Sequence, residues 1–121
     1  MKVKQRVYIC GPYSNGDQSR NVNSALLAGN IVLAQGGIPF IPHLFHFWHF
    51  IDQKPKQDWL YIDKQMLHAM HSIVTLVSEN SYTEGMHEEL NYNEDFLHLP
   101  VYNLSKVVRD NFMFVEMEDE R

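Results

Sequence analysis

The segment that most constrains the fold is Val7-Tyr8-Ile9-Cys10, a run of β-branched and aromatic residues that stops at Gly11-Pro12. Such side chains suit a pleated strand and Gly-Pro ends one, so the run, with Arg6, is read as a short buried strand. The period then changes. After the polar stretch Ser14 to Ser19, apolar or small residues recur at Val22, Leu26, Gly29 and Leu33, the spacing of one helix face, until Gly36-Gly37. Ile38 to Ile41 is a second strand, and its Pro39 is better tolerated at a sheet edge than in the centre. A His- and aromatic-rich segment, Pro42 to Phe50, and a polar linker, Lys54 to Gln57, lead to a helix from Gln57 to Met70. A strand from Ser72 to Val77, a polar loop to Thr83 and a helix from Gly85 to Leu97 follow. Pro100 to Leu104 reads as a further strand and Phe112 to Val115 as a candidate fifth.

Strands alternating with helices at this spacing predict an α/β fold: a Rossmann-like, doubly wound, mostly parallel sheet of four to five strands with helices on both faces. Ligands in such folds bind beyond the carboxyl ends of the strands. A length of 121 residues and 45% hydrophobic content suit one core, hence one domain over 1–121, with the acidic end Glu116 to Arg121 expected to be mobile. No apolar run approaches the ~20 residues of a membrane span, and the first residues lack a secretory pattern, so a cytoplasmic protein with no membrane partner is expected. The net charge of −5, without a basic stripe, favours a small-molecule ligand over polymeric nucleic acid. The single cysteine, Cys10, reads as a small buried thiol that packs in its strand.

The carboxyl-end rule brings three loops together: Gly11 to Ser19, Pro42 to Asp52 and Ser78 to Gly85. Gly11 lets a ligand approach the backbone, and Ser14, Asn15 and Gly16 offer hydroxyl, amide and N–H groups for sugar or phosphate oxygens; an ordinary turn is the alternative. Asp63 lies on the apolar stripe Leu60, Asp63, Leu67, Met70, where burial raises a carboxyl pKa and keeps a general acid protonated. A structural Asp bonded to backbone is the competing reading. Glu89 falls in the first turns of its helix, where the dipole favours an anionic carboxylate, whether as nucleophile or as cap. One acid and one anion are the pair that glycosidic cleavage uses. Glu88 is expected to face solvent. His43, His46 and His49, with Asp52, admit a metal site, a substrate-lining aromatic pocket or plain packing.

The stretches Val7-Tyr8-Ile9-Cys10-Gly11-Pro12-Tyr13, Pro39-Phe40-Ile41-Pro42-His43, Trp59-Leu60-x-x-Asp63 and Gly85-Met86-x-x-Glu89, in this order, resemble the nucleoside 2-deoxyribosyltransferase-like superfamily, in particular its small phage- or prophage-borne branch. The resemblance implies a flavodoxin-like fold, a homodimer or larger homo-oligomer, no cofactor and no metal. It also implies cleavage or transfer of the N-glycosidic bond of a 2′-deoxynucleoside or its 5′-monophosphate. Glu89 would be the nucleophile, Asp63 the acid at the leaving base, and Tyr13 the residue that orients Glu89 or the sugar. Gly11, Pro12 and Asn21 would hold the sugar; Ser81, Thr83, Gly85 and Met86 its 5′ end or phosphate; His43, His46 and Trp48 would cover the base. Relatives differ at three places: His71 stands where they carry an acid, Leu90 to Asn93 replaces small residues, and Ser78 to Glu84 lacks their compact loop. A nucleotide-binding or sensing protein of the same fold, without turnover, is the rival expectation.

Overall fold

The computed structural model describes residues 1–119. In chain order the strands are β1 (Lys2–Val3), β2 (Arg6–Cys10), β3 (Ile38–Phe40), β4 (Ser72–Thr75), β5 (Val101–Asn103) and β6 (Met117–Glu118). The helices are α1 (Gln18–Ala34), α2 (Phe45–Ile51), α3 (Lys56–Leu67), α4 (Glu84–Tyr92) and α5 (Leu104–Arg109). Strands β3-β2-β4-β5 form a four-stranded sheet, every pair parallel, with Tyr8 opposite Phe40 on one side and Ile73 on the other. The chain is therefore an α/β protein. Pro39 sits on the edge strand β3, as its missing N–H requires.

Alternation along β2 divides the core. Val7 and Ile9 face one layer with Ala25, Ala28 and Val32 of α1 and Val107 of α5. Tyr8 and Cys10 face the other, with Leu67 at the end of α3, Met70 and Met86 of α4. Helices thus cover both faces of the sheet. The buried stripe of α1 is Val22, Ala25, Ala28, Gly29 and Val32, whereas Leu26 and Leu33 of the expected stripe are exposed. Small residues win because the helix lies close to its neighbours: a Cβ on Gly29 would fall 2.5 Å from Ile41 Cδ1.

Three further expectations change. Phe112 to Val115 is not a strand; Phe112 and Phe114 instead pack on each other and on Tyr102, and Phe114 N–H donates to Gln35 O. The end expected to be mobile forms β6 at Met117–Glu118, antiparallel to β1; residues 120 and 121 of that expectation lie outside the described residues. The helix expected to reach Leu97 is α4 followed by a π-turn, Asn93–Leu97, closed at His98 with φ 59°. Buried Asn93 bonds both backbone groups of Leu99 and fixes this exit. Among the described residues no helix is long and apolar enough to cross a membrane.

Candidate active site

Beyond the carboxyl end of β2 lies a cleft of about 650 Å³. The Gly11 to Gln18 loop forms one wall, and Phe45, His46 and His49 of α2 form a second. Trp59, Leu60 and Asp63 of α3, with the start of α4 at Gly85 and Met86, complete it over Glu89. Strand order explains the position. The chain leaves β2 for β3 on one side and leaves β4 for β5 on the other, so the connections after the adjacent strands β2 and β4 diverge and open a crevice between them.

Glu89 is buried, at 8% exposure, among donors from β2. The Tyr8 hydroxyl donates to Glu89 Oε2 at 2.7 Å, and the Cys10 thiol donates to Oε1 at 3.6 Å. Asp63, from the inward face of α3, lies within hydrogen-bonding reach of the same carboxylate. Burial, with the Glu89 charge next to it, pushes the Asp63 carboxyl up to about 9. Burial also raises Glu89, against hydrogen bonds from Asp63, Tyr8 and Cys10 and the field of Lys64. Two carboxyls this close cannot both ionise cheaply, so near neutral pH the pair keeps one proton; it rests on Asp63, and Glu89 is the anion. Tyr8 and Cys10 are themselves raised, first by burial and then by Glu89, so both remain protonated donors. Asp63 Oδ1 is buried without a partner.

The loop after β2 is tied from both sides. His43 Nε2 lies 3.0 Å from Pro12 O, and Asn21 Nδ2 donates to Tyr13 O and to Asn15 O at 2.8 Å each. The Tyr13 hydroxyl lies 2.8 Å from His46 Nδ1. On the far wall, Trp59 Nε1–H donates to His49 Nδ1 at 2.7 Å and its ring stacks on Phe45 with centroids 5.6 Å apart. An indole nitrogen only donates, so His49 Nδ1 must accept, and a neutral His49 carries its proton on Nε2. Among the described residues no group of three His, Cys, Asp or Glu side chains is placed to hold a metal. The spacing of His43, His46 and His49 instead serves three separate contacts, to Pro12, Tyr13 and Trp59.

Of the residues expected at the site, Glu89, Asp63, Tyr13, Gly11, His43, His46, Thr83, Gly85 and Met86 line the cleft. Pro12, Asn21, Trp48 and Ser81 do not line it. Pro12 and Asn21 hold the loop, and Trp48 packs edge-on against Phe45 and Trp59 beneath the Lys54 ammonium. Ser81 ends a short 3-10 turn, Glu79–Ser81. Thr83 lines the cleft, but its hydroxyl accepts from Met86 N–H and caps α4. Tyr13 bonds His46; the tyrosine on Glu89 is Tyr8. Gly11 is needed for packing, since a Cβ there would meet Leu76 Cδ1 at 2.5 Å. Glu88 pairs with Lys64 at 3.4 Å near the surface. His71 accepts from Arg6 N–H at the opposite end of the sheet, so it does not act on Asp63.

Sequence reasoning missed Tyr8, the bond made by Cys10, and the cleft lysines Lys54 and Lys56, which lie in the segment read as linker. The strand alternation carried the first two: Tyr8 and Cys10 are two apart and share the face that meets α4. No comparable signal marks the lysines.

Fold and cleft together define an α/β protein with a two-carboxyl site, Glu89 buried and Asp63 half-buried, at the carboxyl end of a parallel sheet. The chain belongs to the family described as a domain of unknown function, DUF7768, whose model matches residues 5–102 and so spans every residue of the cleft. Comparison with curated proteins finds no match.

Proposed function

We propose that the chain cleaves or transfers the N-glycosidic bond of a 2′-deoxynucleoside or its 5′-monophosphate, as a nucleoside 2-deoxyribosyltransferase-like enzyme of flavodoxin-like, doubly wound fold. The observation that carries this is the pair of carboxyls, Asp63 and Glu89, brought together on the floor of a cleft of about 650 Å³, with burial raising Asp63. The order β3-β2-β4-β5 matches four of the five strands of the 2-1-3-4-5 arrangement and supports the finer fold. In the reaction Glu89 attacks C1′, the C1′–N bond breaks toward the base, and Asp63 gives its proton to a ring nitrogen of that base. Water or a second base then attacks C1′ of the glycosyl-enzyme, returns a proton to Asp63 and frees Glu89. The Phe45 and Trp59 faces offer the departing base a stacking surface, and the tied Gly11 to Gln18 loop offers the sugar a rigid one.

One observation favours a nucleotide-binding protein without turnover: Asp63 and Glu89 interact with each other, whereas a glycosidic pair flanks the bond it cleaves. A sugar must come between the two carboxyls to react. Incubation with a panel of deoxynucleosides and their monophosphates, with and without an acceptor base, separates the two. Chromatography is expected to show released or exchanged base, lost by at least ~100-fold in Glu89→Gln. Turnover that survives in Glu89→Gln removes the assignment; tight binding with no released base supports the binding protein.

A further inference from the structure

The two oxygens of Glu89 are held unequally, and both holders come from one strand. Oε2 accepts the Tyr8 hydroxyl at 2.7 Å, a normal strong contact to a carboxylate, while Oε1 accepts the Cys10 thiol at 3.6 Å. A thiol is a weak donor, so it fixes the direction of a lone pair without drawing off much of its charge. Cys10 is buried at 1% exposure in the four-stranded sheet, so water does not take its place and the strand sets its direction. The sequence reading of Cys10 as packing alone leaves this contact unexplained.

We propose that Cys10 is a positioning residue for Glu89: its thiol orients Oε1 and leaves that oxygen, rather than the Tyr8-bound Oε2, to attack. The inference rests on the glycosidic reading above. In the attacking step the Oε1–C1′ bond forms, the C1′–N pair goes to the base, and the Asp63 proton follows it. The Asp63 proton therefore leaves the pair in this step, whereas the Tyr8 and Cys10 bonds to Glu89 persist through it. A stronger donor on Oε1 would hold its charge back, and with no donor there the carboxylate would be held through Oε2 alone.

The charged and titratable groups that face Glu89 are Tyr8 and Cys10 from β2 and Asp63 and Lys64 from α3. Only Cys10 is varied in the test. Cys10→Val and Cys10→Ala keep the position apolar but remove the donor; Cys10→Ser keeps a donor. With ¹³C-labelled glutamate, the Glu89 carboxyl is followed by NMR against pH and assigned by its disappearance in Glu89→Gln. Loss of the donor is expected to move the Glu89 midpoint up by about half a pH unit, roughly 3-fold in proton affinity, in the Val and Ala variants, and not to raise it in the Ser variant. The acid limb of kcat for deoxynucleoside cleavage should move with it. If Cys10→Val titrates as the unmodified protein does, the thiol only packs and the proposal is overturned. Should the Val variant not fold, the same comparison of Ala with Ser decides. A moved midpoint without any turnover supports the hold on Glu89 and counts against the glycosidic reading instead. In the trapped glycosyl-enzyme of a 2′-fluoro analogue, C1′ is expected on the oxygen nearer Cys10; attachment to the Tyr8-bound oxygen overturns the assignment of Oε1.

Discussion

Replacing Asp63 by asparagine removes a proton-binding group from the core while leaving a similar shape, and the consequence for stability can be worked through. The Asp63 carboxyl is pushed from 3.8 up to about 9, first by burial and then by Glu89. Between those values the folded chain holds a proton that the unfolded chain releases, so the unfolded state binds fewer protons and stability falls as pH rises. The contribution of the protonated form is complete below about pH 4 and is gone once pH passes about 9. One such proton gives a slope of about −1.4 kcal/mol per pH unit across the middle of that window, on the order of 4 kcal/mol by pH 7. Water and side-chain rearrangement around the pair reduce the total, so the slope is the cleaner signature. The amide of the substituted side chain would still donate an N–H to Glu89 and would not titrate. Asp63→Asn is therefore expected to match the unmodified protein near pH 4.5 and to become progressively more stable than it from pH 5 to 8.5. Urea unfolding followed through Trp48 and Trp59 fluorescence at five or six pH values measures this. Two parallel curves, with no gap that widens with pH, would refute the buried neutral acid and remove the general-acid role with it. The same variant should lose base release, because an amide N–H is not acidic enough to protonate the departing base.

Two further outcomes follow from the contacts. Tyr8→Phe removes the 2.7 Å donor from Glu89 and should cost about 1.5–3 kcal/mol where Glu89 is anionic and less as acid protonates it; thermal unfolding across a pH series checks it, and a loss that does not change with pH would show the hydroxyl serves packing only. Trp59→Phe removes the indole donor from His49 Nδ1 and leaves only the longer bond from Lys54 N–H at 3.3 Å, so in ¹⁵N spectra an Nδ1–H form should join the Nε2–H tautomer, and an Nδ1–H form already present in the unmodified protein would contradict the geometry.

The layers of the fold are legible in the sequence because each rests on a local rule. Val7 to Cys10 before Gly11-Pro12 reads as a short strand, and the alternation of such runs with helical spacing gives a parallel sheet. The differences between expectation and structure share one cause, the substitution of size for contact. In α1, hydrophobic weight favours Leu26 and Leu33 over Ala25, Ala28 and Gly29, but close approach to the sheet admits the small residues and turns the leucines out. Phe112 to Val115 has strand composition, yet it does not pair with β5, and its aromatics serve the core instead. At the site, Asp63 is visible because it breaks an apolar stripe, and Glu89 because it falls in the first turns of its helix within the stretch Gly85-Met86-x-x-Glu89. Tyr8 is not, since a tyrosine in a strand breaks none. Tyr13 draws attention because it lies beside the Gly11-Pro12 turn, but a loop residue this far past the strand end points across the cleft to His46.

The cost of the Asp63–Glu89 pair is itself an argument about what it is for. Leucine at position 63 would continue the stripe Leu60, Leu67, Met70 into a core layer that already holds Leu67 and Met86 at full burial. Glu89 lies on the same face of α4 as buried Met86 and could be apolar by the same reasoning. Replacing a buried ionisable pair with apolar groups of similar size is commonly neutral or stabilising, so the pair is not what holds α3 and α4 to the sheet. The chain instead carries a carboxyl raised to about 9 and a carboxyl oxygen, Asp63 Oδ1, with no partner. Two donors from β2 are given to a single anion. Departures from local consistency that bring no stability collect where a protein acts on something else. Here they meet at one point, at the carboxyl end of the sheet, inside the residues that define the family.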